Sequence, residues 1–202
     1  PVLNPVEMAM PDETVVLKRL KADAVYPKMF AKAFSGSPDP ITYDNMAEAI
    51  AAFERTLITR DRLDDFLKGD LDALTDGELQ GLRTFLDLGC TACHNGPVIG
   101  AGSFQKSGLI NPYEFAKDLG RFTVTENEDD KHKFKVPSLR NVALTFPYFH
   151  DGKADKLSDV VKRMGYMQLG MEFTSEQIDP LVAYLNTLSG KGRRAGAEPP
   201  KN

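Results

Sequence analysis

Cys90 and Cys93 are the only cysteines in this chain of 202 residues, and His94 follows the second directly in FLDLGCTACHNGP (85–97). Two thiols separated by two residues, with an adjacent imidazole, leave three kinds of chemistry open. A thioredoxin-like redox pair follows a β-strand and heads a helix. Here the preceding residues read as a helix, and no βαβ pattern is evident. A structural zinc needs four ligands; His132 and His150 are the only further histidines, and their spacing is not that of a zinc finger. Covalent haem attachment uses both thiols on the vinyl groups and the imidazole as proximal iron ligand. The pattern favours this last use, with other metal or redox chemistry as the alternative.

Composition narrows the field. The apolar content of 42% supports a real core, and the length suits one large domain or two small ones. The net charge is −4, with no basic patch interleaved with aromatics, so nucleic-acid binding is not expected. No apolar run approaches about 18 residues, so no membrane span is expected. No signal peptide is visible, although haem attached through thioethers implies assembly outside the bacterial cytoplasm. The opening PVLNPVEMAMPDE has no initiator Met and reads as the continuation of an earlier segment.

Along the chain, residues 1–12 read as a loop. Residues 13–34 read as a helix in two pieces broken near Pro27. A turn cluster, SGSPDPIT (35–42), precedes a helix with Met46, Ile50, Phe53 and Leu57 at helical spacing and Thr42 or Asp44 as its cap. Thr75 and Glu78 form a capping box for a helix over 74–89, whose apolar residues are Leu82, Phe85 and Leu86. Residues 95–156 are mostly loop, with a short hairpin expected in GRFTVTENEDDKHKFKVP (120–137). So long a loop suits a large apolar cofactor that supplies the core. Helical periodicity returns at 156–170 and again at 174–190, where Ile178, Leu181, Leu185 and Leu188 share a face. Pro180 is placed near the first turn of that last helix. Gly81 and Phe85 are expected to let the helix before Cys90 approach Leu181, Tyr184 and Leu185. Residues 191–202 read as a disordered tail.

Haem iron held by His94 has one axial position left, and the candidates are Met164, Met167, Met171, His132 and His150. A thioether there raises the reduction potential, a second imidazole lowers it, and an open site permits ligand chemistry. Met164 lies on a predicted helix just ahead of the final one.

The stretches NPVEMAMP (4–11), FLDLGCTACHNGP (85–97), DLGRFTVT (118–125), FKVPSLRNVALTFPYFHDG (134–152) and RMGYMQLG (163–170) together resemble the bacterial di-haem cytochrome c peroxidases. The resemblance implies an all-α fold of two cytochrome-like lobes, each with one haem c. One haem is low-potential and meets peroxide. The other is high-potential and receives electrons from a small cytochrome c or cupredoxin. Residues 74–190 resemble the electron-transfer lobe with its long haem-wrapping loops. Residues 1–73 resemble the later part of the peroxidatic lobe, whose own Cys-x-x-Cys-His lies outside this sequence. The resemblance assigns Cys90 and Cys93 to the thioethers, His94 to the proximal position and Met164 to the distal one. It makes Glu7 the distal proton-handling carboxylate of the peroxidatic site and places His150 near the inter-haem region that takes part in reductive activation. Backbone carbonyls of Thr145 and Pro147 are implied calcium ligands, of the kind a hard cation prefers. The resemblance further implies hydrogen peroxide as substrate, a periplasmic location and a homodimer. A mono-haem electron carrier without peroxidase activity is the alternative reading.

Overall fold

The computed structural model describes residues 1–57, 59–113 and 118–190, and the tail expected over 191–202 lies outside them. The chain forms two compact units, Pro1–Ile58 and Thr59–Asn202.

The first unit is three helices. Asp12 caps α1 (Glu13–Ala22) by accepting from the Val15 N–H at 2.9 Å. The expected break falls at 23–25, just ahead of Pro27. Asp23 accepts there from the N–H groups of Val25 and Tyr26, and Pro27 sits in the first turn of α2 (Tyr26–Ala33). That is where a missing N–H costs least. Thr42 caps α3 (Tyr43–Glu54) through the Asn45 N–H at 3.1 Å. The core is small: Val16, Phe30, Ile41 and Met46, with Phe34 stacked on Phe30 at 5.8 Å between centroids. Of the apolar set expected on this helix only Met46 is buried; Ile50 and Phe53 remain exposed, and Leu57, also exposed, lies beyond its end at Glu54.

The second unit is built on two crossed helices. Thr75 and Glu78 close the expected capping box at the head of α5 (Asp76–Asp87), with the Thr75 N–H donating to Glu78 Oε2 at 2.8 Å. Two further helices complete the frame, α7 (Leu157–Met164) and α8 (Ser175–Thr187). α8 packs on both α5 and α7. Gly81 makes the α5–α8 approach: a Cβ at that position would lie 1.9 Å from the Pro180 carbonyl oxygen and 2.8 Å from Tyr184 Cβ. Pro180 stands sixth in α8, past the first turn, so its backbone lies at the crossing itself. Phe85, Leu181, Tyr184, Leu185 and Leu188 form the core of the contact, joined by Leu63, Leu74, Ile99, Val161 and Phe173. The short helix α4 (Arg62–Leu67) belongs to this unit and brings Leu63 into that core.

The loop region contains a two-stranded antiparallel sheet, but not the expected hairpin. β1 (Phe104–Lys106) pairs with β2 (Lys133–Lys135), with Gln105 opposite Phe134. The residues between include a single helical turn, α6 (Phe122–Thr125). Of the acidic run only Asp130 is buried, and it collects Arg121 at 3.0 Å, Lys133 at 3.1 Å and the Thr125 hydroxyl at 3.0 Å, while Glu126, Glu128 and Asp129 stay exposed. No described helix is long and apolar enough to cross a membrane.

Arg140 ties the loops to α4. Its guanidinium donates to Asp61, to both Asp64 oxygens at 2.7 and 2.9 Å, and to the Pro97 carbonyl at 3.0 and 2.9 Å. Asp61 is fully buried and also caps α4 by accepting from the Leu63 N–H at 3.1 Å. Burial alone would raise the Asp64 pKa, but the Asp61 N–H and the Arg140 guanidinium outweigh it and hold the carboxyl below the usual range.

Two outcomes follow from this packing. Gly81→Ala forces α5 and α8 apart and should cost about 1–3 kcal/mol or more in urea unfolding. Gly77→Ala, in open space on the same helix, should stabilise by roughly 0.5–1 kcal/mol. Arg140→Ala leaves the Asp61 carboxylate buried without its cation and should cost about 3–5 kcal/mol at neutral pH. Between its folded and unfolded pKa values the unfolded chain binds more protons at Asp64, so stability rises with pH there. This contribution is complete above the ordinary aspartate range and disappears as the pH falls through the lowered value. Urea midpoints measured from neutral to acid pH should therefore fall less steeply in Arg140→Ala.

Candidate functional site

α5 delivers the chain into the cysteine motif. Its last turn ends at Leu88, and Gly89 follows with φ +76, a left-handed conformation that reverses the chain without a side-chain penalty. Cys90–Ala92 form a 3-10 turn, closed by the N–H groups of Cys93 and His94 donating to the Cys90 carbonyl at 3.3 and 2.9 Å. The three residues Cys90, Cys93 and His94 are thus brought together on one tight turn. The His94 ring lies 6.5 Å from Phe85 between centroids, and Phe85 lies 5.3 Å from Tyr184, so the α5–α8 core reaches the motif directly.

The loop after His94 turns back against residues 136–139. Ala101 N–H donates to the Val136 carbonyl at 2.8 Å, Leu139 N–H to Ile99 at 3.1 Å, and the Ser138 hydroxyl to Val98 at 2.6 Å. Gly100, at φ +132, permits this approach, since a Cβ there would meet the Pro137 carbonyl oxygen at 2.2 Å.

His94 is held ready for a metal. Burial pushes its pKa down, and the carbonyls of Ile99 and Pro137 pull the other way. Its Nδ1 is buried and makes no hydrogen bond. A neutral imidazole is the ligating form, and a buried ring nitrogen without a partner is otherwise a cost of about 1–3 kcal/mol. Cys90 and Cys93 are both free thiols and half-buried. Burial pushes the Cys90 thiol up in pKa, the opposite of what an attacking thiolate requires, which argues against a redox pair. Among the described residues no group of three or more His, Cys, Asp or Glu converges as a metal site, so a zinc cluster is not supported either. Two accessible thiols beside an orphaned imidazole nitrogen fit a covalently attached haem.

The distal candidates separate by environment. Met164 is the last residue of α7 and is half-buried. Met167 is only 3% exposed, enclosed by protein atoms, while Met171 is on the surface. His132 Nδ1 lies 3.3 Å from the Asp118 carbonyl oxygen, and His150 Nε2 lies 2.5 Å from Asp118 Oδ2 with the Phe134 ring 4.5 Å away. His150 holds Asp118 in its ionised form; the Gly120 N–H contributes more to the same lowering. Both histidines are therefore already engaged.

Glu7 lies in the first unit, in the loop before α1, with a half-exposed carboxylate 3.6 Å from the Pro1 amine. Thr145 and Pro147 are exposed and flank Phe146; the Thr145 hydroxyl donates to the Val142 carbonyl at 3.1 Å. The sequence reading passed over Arg140 with Asp61 and Asp64, and also Gln168 and Asn111. Only Asp61-x-x-Asp64 carried a local signal, as a capping pair.

Comparison with known proteins agrees with this geometry. The family described as Di-haem cytochrome c peroxidase matches residues 1–72, and the family described as Cytochrome c matches residues 79–189. A cytochrome c551 peroxidase of Nitrosomonas europaea is 44% identical over 192 residues, covering 94% of this chain and 57% of that protein. A cytochrome c551 peroxidase of Pseudomonas aeruginosa is 41% identical, covering 96% of this chain and 57% of that protein. The chain thus spans little more than half the length of these relatives. A solved MauG-like protein associated with microbial copper homeostasis superposes with a TM-score of 0.76 at 27% identity, covering 90% of this chain and 63% of that one. The cytochrome c match implies haem c as cofactor, in keeping with the orphaned nitrogen of His94. By fold, motif and relatives, the chain belongs to the di-haem cytochrome c peroxidase family, with a cytochrome c domain over residues 79–189.

Proposed function

We propose that this chain is the electron-transfer portion of a periplasmic di-haem cytochrome c peroxidase, which reduces hydrogen peroxide to water with electrons from a small cytochrome c or cupredoxin. The observation that carries the reading is the Cys90–His94 turn with its unpartnered His94 Nδ1, within the cytochrome c match of a chain whose first segment matches the di-haem peroxidases.

Cys90 and Cys93 would hold the haem by thioethers, and His94 and Met164 would be the side chains on its iron. Bound there, haem supplies one-electron exchange. Burial keeps His94 neutral, and the soft Met164 sulfur favours the ferrous form, so the site is suited to accepting electrons at high potential. With His94 and Met164 both on the iron, this site would not admit peroxide. Having only two cysteines, the chain holds one haem c, and the complete protein holds two.

Peroxide chemistry then belongs to the other haem, which Glu7 serves. Glu7 would hold and move the proton there, while that haem and the electrons relayed to it would supply the two electrons that, with two protons, convert peroxide to two waters. The His150–Asp118 pair belongs to the inter-haem region, and the Thr145 and Pro147 carbonyls contribute to a calcium site. Residues 1–73 form part of the peroxidatic lobe and residues 74–190 the electron-transfer domain, with residues 59–73 packed into the compact unit of the latter. The functional protein is a homodimer. A mono-haem electron carrier is the second reading, favoured by the presence of one Cys-x-x-Cys-His and one methionine ligand.

Three experiments test the proposal. The purified chain should carry one haem that acidified organic solvent does not extract, and Cys90→Ser with Cys93→Ser should make it extractable. That one-haem chain should take electrons from a reduced small redox protein yet consume peroxide poorly. Turnover equal to that of a two-haem relative would make His94's site the peroxidatic one. In the complete two-haem protein, Glu7→Gln should keep both haem spectra and slow peroxide turnover by ~10²–10⁴-fold. Near-wild-type turnover would make Glu7 an ordinary solvated carboxylate.

A further inference from the structure

We propose that Gln168 and Asn111 are positioning residues that clamp the segment after Met164 and so keep its thioether in place as the distal ligand. The inference rests on Met164 being that ligand.

The backbone changes character immediately after Met164. α7 ends there, and Gly165–Leu169 continue as a π-helical turn. A π turn is wider than an α turn, is rare, and occurs mostly at functional positions. Here the support comes from another part of the chain. The N–H groups of Ile110 and Asn111 both donate to the Met167 carbonyl, at 3.0 and 3.1 Å. The Asn111 side chain donates to the Tyr166 carbonyl at 2.8 Å. Gln168 makes the return connection: its Oε1 accepts from the Leu109 N–H at 2.9 Å, and its Nε2 donates to the Lys106 carbonyl at 3.1 Å. Five hydrogen bonds thus join 106–111 to 166–168, between parts of the chain more than fifty residues apart. Lys106 lies in β1, which is paired with β2, so the clamp is anchored in the sheet.

Both ends of the turn are also closely packed. A Cβ on Gly165 would meet the Phe173 ring at 2.8 Å, and one on Gly170, at φ +67, would meet Ile110 Cγ2 at 2.9 Å. The turn starts flush against Phe173 and ends flush against Ile110.

A thioether is a neutral, weak donor that stronger ligands can displace. Its hold on iron therefore depends on how far the protein pre-organises it. Without the clamp, the π turn can relax toward a regular helix, which changes the direction in which the residue at its start projects. Gln168 is suited to its place because one amide both accepts and donates; glutamate keeps only the acceptor.

The test uses the haem-loaded chain, with Met164→His as reference. In wild type, the weak red charge-transfer band of ferric His/Met ligation should be present, and Met164→His should abolish it. Gln168→Ala should weaken the band, lower the reduction potential and let added imidazole displace the sulfur at ~tenfold lower concentration, the scale of losing two side-chain hydrogen bonds. Gln168→Glu should fall between the two. Asn111→Ala, which removes a single side-chain bond and keeps the backbone ones, should shift the same readouts in the same direction if Gln168→Ala does not fold. A merely structural role would lower the melting temperature and leave band, potential and imidazole affinity at wild-type values; that result overturns the clamp. Absence of the band in wild type, or its survival in Met164→His, overturns the ligand assignment and the clamp with it.

Discussion

The second unit depends on one close contact between backbones, the crossing of α5 and α8 at Gly81. With no side chain at Gly81, the Pro180 carbonyl comes nearer than any Cβ would allow. The aromatic and aliphatic residues that flank the crossing then seal it, with Tyr184 and Leu188 almost fully buried. This contact has a functional consequence because of what each helix carries. α5 runs straight into the Cys90–His94 turn, and α8 holds α7, which ends at Met164. One packing decision therefore organises both groups proposed as axial ligands.

The loops are ordered by polar contacts placed where little apolar packing is on offer. Arg140 reaches Asp61, Asp64 and the Pro97 carbonyl at once, joining α4 to the loop that follows His94. Its planar fork suits such convergence in a way a lysine would not. Asp130 does the same on a smaller scale for the 121–133 segment. On the distal side, Gln168 and Asn111 connect the π turn to the sheet. A long stretch of mostly irregular chain thus acquires definite geometry from a few multidentate side chains.

This bracing is consistent with the electron-transfer role proposed for the second unit. Side chains proposed for both axial positions come from structure braced on each side, which limits rearrangement when the iron changes oxidation state. Glu7, proposed above to handle protons, sits instead in the first unit, whose core has four buried residues.

Local chemistry was legible in the sequence. The Thr42 cap, the Thr75–Glu78 box, the break just ahead of Pro27 and the tight Cys90–His94 turn all depend on residues within a few positions of one another. The Gly81 crossing was also readable, since a glycine facing an apolar stripe invites close approach. The hairpin was not: β2 satisfies its backbone with residues 104–106, a partner whose pairing is non-local and weakly encoded in strands three residues long. The burial of Asp130 could not be read either, because its acidic neighbours are solvated and its cations, Arg121 and Lys133, are no different in type from surface charges. The same holds for Arg140 with Asp61, and for Gln168 with Lys106 and Leu109. Sequence by itself determined which residue types could meet a haem and where the longer helices would form, though not the short α4, because periodicity and capping are short-range. Tertiary structure alone decided which polar side chains hold those residues in place, because hydrogen bonds spanning fifty to eighty positions leave no periodic trace in the chain.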